Sequence, residues 1–283
     1  MNNINKLICI RALMGMYFLY LLLSFFQISE LLYLTPDAPS SPSFFFQIVT
    51  DQLSQWQVNG IIVLASVASL FFIVGIFQQL CALVMYTSLI VLIHANFLLM
   101  EIHYTYLGWM LAVFIFSPRF TNKYQDEDHR ISLNWWADKL STSSLVVFGF
   151  SYTFLGIVKL KYSYYYSPLL SDFLFSIPDA HPHNPSYFNF LNNFLRERLG
   201  DSAKILLGLS GAWAEAITLP LILFKRTRVV AFTLIFFVLC YISVLINYWN
   251  ITMVLAIFQL MATDLNSVNY FSNKRIFKIL NHF

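Results

Sequence analysis

The chain has 283 residues, of which 58% are hydrophobic and 11% are charged, and its formal net charge is +3. A soluble globular domain carries about 25% charged residues, so the composition excludes that class and indicates a polytopic membrane protein. The basic residues lie between apolar segments rather than in one patch. We therefore expect membrane lipids as surroundings and no nucleic-acid partner. The content of Phe, Ile, Asn, Lys and Tyr has the appearance of AT-rich coding, and we therefore expect a bacterial inner membrane.

Long apolar segments recur along the chain and predict its fold class. A helix needs about 20 apolar residues to cross roughly 30 Å of hydrocarbon. On this criterion the sequence predicts an all-α membrane helix bundle of about eight spans, forming a single transmembrane domain over 1–283. The predicted spans are residues 8–28, 58–77, 80–100, 104–117, 143–160, 205–224, 229–247 and 250–263.

The distribution of Lys and Arg predicts the orientation, because these residues are enriched in cytoplasmic connections. With the N-terminus inside, the inner connections hold eleven Lys and Arg residues and the outer connections hold four. The first outer connection, residues 29–57, holds none. Both termini are therefore predicted to be cytoplasmic, and the end of the fifth span is predicted to face outward.

Two connections carry structural signals of their own. On the outer side, Asn184 can cap a helix, Pro185 suits its first position, and Gly200 can end it. These residues predict an amphipathic helix over 184–199, lying on the outer face of the membrane. On the inner side, 131–140 places two tryptophans at the level of an interfacial aromatic belt.

Glu215 lies at the centre of the sixth predicted span. Charge in hydrocarbon is costly, so a carboxylate there is a functional candidate. Gly208, Gly211 and Ala212 share its helical face, and small residues on one face let a neighbouring helix approach closely. We therefore expect Glu215 to face the bundle, in a packing role or in direct chemistry.

Lys159 lies at the outer end of the fifth predicted span, about 24 Å along the helix from Ser143. One interpretation is an anchor whose amine reaches water at the membrane surface. The other is a base or a binding group, because a partly desolvated lysine can serve as a general base. Lys161 already provides an anchor further out, and both interpretations stay open.

Three polar residues surround the predicted outer turn between the third and fourth spans: His94, Glu101 and His103. They are expected on the same side of the membrane as Lys159. An amine, an imidazole and a carboxylate at one outer mouth would supply a base and the groups that orient it. The alternative is ordinary interfacial polarity.

Two further polar features are interpreted as structural. Arg11, near the start of the first span, can reach back toward the cytoplasm or pack against a partner helix beside Gly15. His181 and His183 flank a proline, but no third ligand lies nearby in the sequence. A metal site usually needs three or four ligands, so none is predicted.

Several segments, read in order, resemble one known family. They are "IRALMGMYFLYLLL" (10–23), "VGIFQQLCAL" (74–83), "HYTYLGWMLAVFIFSP" (103–118), "YTFLGIVKL" (152–160) and "WAEAITLPLILFKRTR" (213–228). Together with the final hairpin they are similar to the horizontally transferred transmembrane domain family, the membrane portion shared with vitamin K-dependent gamma-glutamyl carboxylase. The resemblance covers most of the chain, and its most specific piece is "YTFLGIVKL".

In that carboxylase, the lysine of this motif is the base that deprotonates reduced vitamin K, and a histidine at an outer turn assists it. The resemblance therefore implies Lys159 as the base, His103 as its assistant and a reduced quinone as the lipid-soluble partner. Glu215 would support the site from below. Cys240 and Tyr241 stand where a seventh-span histidine is expected.

Two functions follow from these observations. The first is a carboxylase-like membrane enzyme in which an outward-facing lysine acts on a lipid-soluble, quinol-like substrate. The alternative is a non-enzymatic membrane scaffold, or a maturation partner for a secreted peptide or protein. Only 20 residues follow residue 263, so carboxylation of protein glutamates is not expected.

Overall fold

The structure is a computed structural model that describes residues 3–33, 53–95, 102–120, 127–161, 198, 201–246 and 249–263. Every regular element within these residues is an α-helix. In chain order the helices are α1 (Asn3–Tyr33), α2 (Gln55–Val74), α3 (Gln78–Ala95), α4 (Ile102–Phe116), α5 (Glu127–Lys161), α6 (Asp201–Ala216), α7 (Thr218–Leu223), α8 (Arg228–Ile246) and α9 (Trp249–Ala262).

Within the described part of the chain, three helices are long and apolar enough to cross a bilayer: Ile4–Gln27, Gln55–Val74 and Ile131–Lys161. Shorter apolar helices of 10–17 residues also occur. The all-helical class and the apolar, membrane-type helices are therefore confirmed. The count of eight spans and the cytoplasmic position of both termini stay predictions. The shorter helices are Gln78–His94, Tyr104–Phe116, Arg228–Cys240 and Thr252–Ala262.

A helix overlaps every predicted span, although most boundaries shift by a few residues and two differences are larger. Helix α5 begins at Glu127, so residues 131–140, which are predicted to form an inner connection, are helical and continuous with the fifth predicted span. The predicted span 205–224 is divided into α6 and α7. The predicted interfacial helix 184–199 lies outside the described residues except for one position.

The chain divides into two compact units, Met1–Leu140 and Ser141–Phe283. The N-terminal unit contains α1 to α4 and the first part of α5, and the C-terminal unit contains the rest of α5 and α6 to α9. The single transmembrane domain over 1–283 stays a prediction.

In the N-terminal unit, Gly15 brings α1 close to α2. A Cβ atom at this position would collide with the side chain of Ile73. The Ser69 hydroxyl donates a hydrogen bond to the Gly15 carbonyl oxygen at 2.6 Å. The Phe72 ring of α2 meets the Phe114 ring of α4 edge-on, with centroids 5.4 Å apart. Close backbone approach and aromatic packing therefore join α1, α2 and α4.

Arg11 is buried in this unit, with only 5% of its surface exposed. Its Nη1 atom donates to the Phe120 carbonyl at 3.0 Å and to Gln78 Oε1 at 3.3 Å. Its Nη2 atom donates to the Val74 carbonyl at 3.5 Å, at the end of α2. Carbonyls in the last turn of a helix lack partners within the helix. Of the two predicted alternatives, reaching back toward the cytoplasm and packing against a partner helix, Arg11 therefore shows the second.

The turn between α2 and α3 is built around Gly75. This residue has φ of 85°, in the left-handed region that favours glycine. Its N–H donates to the Phe71 and Phe72 carbonyls at 2.9 and 3.0 Å, which closes the end of α2. A Cβ atom here would lie 2.5 Å from the Arg11 guanidinium. A glycine at this position therefore leaves room for the buried guanidinium.

In the C-terminal unit, Phe148 of α5 lies in an aromatic core. Its ring centroid is 5.3 Å from that of Phe232 on α8 and 6.1 Å from that of Phe258 on α9. The Tyr152 ring, one turn further along α5, is 4.6 Å from Phe148. This core fixes α5 against α8 and α9.

The conformation of Gly75 leads to a prediction for stability. Substitution Gly75→Ala should destabilise the N-terminal unit by roughly 1–3 kcal/mol, because a Cβ strains the left-handed turn and displaces Arg11. Gly60→Ala in α2 is the matched control, since a Cβ there meets no atom within 4 Å. Thermal unfolding of the purified protein in detergent, followed by tryptophan fluorescence, measures both. Equal midpoints for the two variants would contradict the prediction.

Candidate functional site

Lys159 and Glu215 form an ion pair in the C-terminal unit. The Lys159 Nζ atom lies 2.6 Å from both carboxylate oxygens of Glu215. The side chain of Glu215 is only 4% exposed, whereas that of Lys159 is 30% exposed. The carboxylate of the pair is therefore buried, whereas the lysine side chain is partly exposed.

Small residues allow α5 to lie directly against α6 and α7. A Cβ atom on Gly156 would lie 2.7 Å from the Ala212 carbonyl oxygen and 2.8 Å from the Ala216 Cα. Further toward the start of α5, Gly149 faces Ile222. Residue numbers rise along α5 as they fall along its partner, so the helices are antiparallel. Ala212 belongs to the small-residue face predicted around Glu215, and α5 is the helix which that face contacts.

The antiparallel arrangement explains why the two charged side chains meet. Helical side chains tilt toward the N-terminus of their own helix. Because α5 and α6 run in opposite directions, Lys159 and Glu215 tilt toward each other along the shared axis. The close backbone contact at Gly156, one turn before the amine, holds the helices near enough for the pair to form.

The helix is interrupted directly after Glu215, between α6 and α7. Helix α6 ends at Ala216, and Pro220 lies in the first turn of α7. Proline has no N–H group and cannot continue the hydrogen-bond ladder. The Leu219 N–H donates to the Thr153 hydroxyl of α5 at 2.8 Å instead of to a backbone carbonyl. Glu215 therefore lies in the last turn before a helix break.

His94 lies in the N-terminal unit, at the end of α3. It lines a groove of about 340 Å³ between α3 and α4. The lining of this groove is mainly apolar, and His94 therefore lies in an apolar recess that includes five polar or aromatic residues. They are Tyr86, His94, Tyr104, Thr105 and Trp109.

The other two predicted residues are less fully described. The backbone of His103 lies in the first turn of α4, and its side chain is outside the described set. Glu101 lies outside the described residues. Lys159 belongs to the C-terminal unit and His94 to the N-terminal unit. The convergence of these residues at one outer mouth stays a prediction.

The ion pair has one evident chemical capacity. A lysine amine and a carboxylate in contact can share one proton, as an ammonium with a carboxylate or as an amine with a carboxylic acid. Removal from water favours neutral groups over isolated charges.

No group of three His, Cys, Asp or Glu side chains that could hold a metal occurs among the described residues, and His181 and His183 lie outside them.

Sequence reasoning identified both members of the pair and missed Thr153. Two signals for it were present. Pro220 lies within an apolar span, and a proline in a membrane helix frees backbone groups that Ser or Thr of a neighbouring helix often satisfies. Thr153 lies on the same face of α5 as Gly149 and Gly156, at helical spacing. A threonine between two glycines on a packing face could therefore have been predicted as the hydrogen-bond partner of the backbone near Pro220.

No family model, curated protein or solved structure matches this chain. Membership of the horizontally transferred transmembrane domain family is consequently a proposal that rests on the motifs quoted above. The geometry of Lys159 and Glu215 is an observation independent of that resemblance.

The burial of Glu215 predicts strong coupling between the two residues. Lys159→Met alone leaves a buried carboxylate without its cation, and we expect a loss of about 3 kcal/mol. The double variant Lys159→Met with Glu215→Met removes both charges and should recover most of that loss. Denaturant titration in detergent measures both free energies.

Lys161→Met is the matched control for that experiment, because Lys161 is exposed at the end of the same helix. We expect little change there. A single Lys159 variant as stable as this control, or a double variant no more stable than Lys159→Met alone, would show that the pair is not coupled.

Proposed function

We propose that this chain is an integral membrane protein whose Lys159–Glu215 pair is an acid–base site acting on a lipid-soluble, hydroxyl-bearing substrate. The observation that carries the proposal is the asymmetry of the pair. The Lys159 amine contacts both oxygens of a buried carboxylate and keeps 30% of its side chain exposed. A general base needs access to the proton that it removes, and the partial exposure of Lys159 is compatible with that access.

The proton transfer proceeds between named atoms. In the neutral form of the pair the shared proton lies on a Glu215 oxygen, and the Lys159 amine is uncharged. The amine takes the hydroxyl proton of the substrate and becomes an ammonium, while the substrate becomes an oxyanion. The new ammonium and oxyanion attract each other. Once the oxyanion leaves, the ammonium returns its proton to solvent, and Glu215 keeps the shared proton throughout. Glu215 thus sets the protonation state of the base.

The surroundings suit a substrate that is dissolved in the membrane. Phe154 and Ile157 of α5 are exposed, and so is Trp213 of α6, two residues before Glu215. A molecule that reaches the amine along these helices meets apolar surface. The resemblance to the carboxylase membrane domain supports a quinol as the substrate class, with Lys159 as base and with His103, His94 and Glu101 as assisting groups at an outward-facing site in a bacterial inner membrane.

The test uses Lys159→Arg, because arginine keeps the charge and the contact with Glu215 but does not give up its proton. Protein in lipid nanodiscs is mixed with a reduced naphthoquinone, and oxygen uptake is recorded. Naphthoquinols react with oxygen mainly as their oxyanions, so uptake reports deprotonation. We expect uptake above that of empty nanodiscs, and a loss of about a hundredfold or more with Lys159→Arg.

Accumulation and thermal stability of Lys159→Arg should stay close to those of the unmodified chain, which separates lost chemistry from lost structure. Uptake by the unmodified chain no greater than by empty nanodiscs would contradict a quinol substrate. Full activity of Lys159→Arg would contradict the role of the amine as a base.

The packing of α5 against α6 favours a second function, a non-enzymatic scaffold or maturation partner for a secreted peptide or protein. Gly156 contacts the backbone of Ala212 and Ala216 directly, and the ion pair then acts as a clamp. This function predicts that Gly156→Leu abolishes recovery of a partner by affinity capture, whereas Lys159→Arg retains it. Gly60→Leu is the control, because Gly60 has open space around it. Retained recovery with Gly156→Leu would contradict the scaffold.

A further inference from the structure

A side-chain hydroxyl from α5 takes the place of a backbone hydrogen bond beside Glu215. In a continuous α-helix the Leu219 N–H would donate to the Glu215 carbonyl. Here the Leu219 N–H donates to Thr153 Oγ1 at 2.8 Å, and the Thr153 hydroxyl donates to the Glu215 carbonyl at 3.5 Å. The hydroxyl therefore bridges the gap in the ladder.

The break between α6 and α7 requires such a substitute. Pro220 supplies no N–H, and the Thr218 hydroxyl donates to the Ala214 carbonyl at 2.9 Å, which adds a second side-chain bond at this turn. An unpaired backbone group within hydrocarbon costs several kcal/mol, so the Leu219 N–H needs the partner that Thr153 provides. Where a hydroxyl of a neighbouring helix satisfies the break, the broken geometry is stable.

Glu215 is consequently held by α5 at two points. Its carbonyl accepts from Thr153, and its carboxylate accepts from Lys159. The two α5 residues are six positions apart, or about 9 Å along the axis. We infer that Thr153 is the positioning residue of this site, which fixes the broken turn so that the Glu215 carboxylate meets the Lys159 amine.

Thr153 contacts the main chain of the broken turn and not the amine, so it acts through Glu215. The inference rests on the proposed function only for what the pair does. The positioning of the Lys159–Glu215 pair is inferred separately, from the hydrogen bonds of Thr153. A threonine that merely bonds to its own helix looks different, as Thr87 shows: its hydroxyl donates to the Leu83 and Val84 carbonyls of α3 at 3.0 and 3.1 Å.

The experiment measures the reactivity of the Lys159 amine rather than turnover. The full chain in nanodiscs is treated with an amine-acylating reagent over a series of pH values, and the acylation rate of Lys159 is read by mass spectrometry relative to Lys161. Thr153→Val keeps the shape of the side chain and removes the hydroxyl. We expect Lys159 to be acylated about fivefold faster in this variant. This factor corresponds to the loss of one hydrogen bond that holds Glu215 in place.

Two further variants make the result specific. Thr153→Ser restores the hydroxyl and should restore the slow rate over the whole pH series. Thr87→Val removes a hydroxyl that bonds within its own helix and should leave the Lys159 rate unchanged. A Thr153→Val rate equal to that of the unmodified chain, or a Thr153→Ser rate equal to that of Thr153→Val, would overturn the inference.

If Thr153→Val does not accumulate, Thr153→Cys replaces it, because a thiol is a weaker donor and acceptor of similar size. An intermediate acylation rate is then expected, and an unchanged rate would overturn the inference. Acylation needs no substrate. An inactive protein with normal Thr153 results would therefore contradict the proposed function alone, and an active protein with unchanged Thr153→Val acylation would contradict only the positioning role.

Discussion

A carboxylate that leaves water must find a cation or hydrogen-bond donors, and this requirement governs the arrangement of the C-terminal unit. Glu215 is almost fully buried, and the Lys159 amine contacts both of its oxygens. The contact forms where α5 and α6 lie close together, and the two side chains tilt toward each other there. Gly156 provides that closeness because its missing Cβ leaves room for the backbone of Ala212. The charged pair and the glycine contact are therefore parts of one constraint.

The same constraint applies to the main chain, because helix ends in an apolar medium expose polar groups that water cannot satisfy. In the N-terminal unit, Arg11 of α1 donates to the Val74 carbonyl where α2 ends. In the C-terminal unit, Thr153 of α5 satisfies the turn where α6 ends. Each unit thus closes a helix end with a polar side chain from a neighbouring helix. Polar residues that look isolated in the sequence are partners for backbone groups elsewhere.

The helices could be predicted from the sequence, because long apolar segments and turn residues mark them. The buried face of each helix was harder to predict, because a helix that is hydrophobic on all sides does not indicate which side packs against its neighbours. Glu215 was the exception, because a carboxylate with glycine and alanine on its face must turn inward. Its partner could not be predicted from spacing alone. Lys159 lies near a helix end, where the sequence does not distinguish a lysine that anchors the helix at the membrane surface from one that pairs with a carboxylate. Thr153 was missed because a single hydroxyl in a membrane helix usually bonds to its own backbone.

The choice of lysine rather than arginine as the partner of Glu215 bears on whether the pair only joins two helices or also takes part in proton transfer. Arginine would make the better clamp, since its rigid fork matches a carboxylate with two parallel hydrogen bonds and it keeps its charge. This chain uses arginine as a structural cation at position 11, where the buried guanidinium joins two backbone carbonyls and the Gln78 amide oxygen. Beside Glu215 it uses lysine, whose amine can release its proton. A buried carboxylate paired with the cation that can be neutralised favours proton chemistry at Lys159 over a purely structural contact.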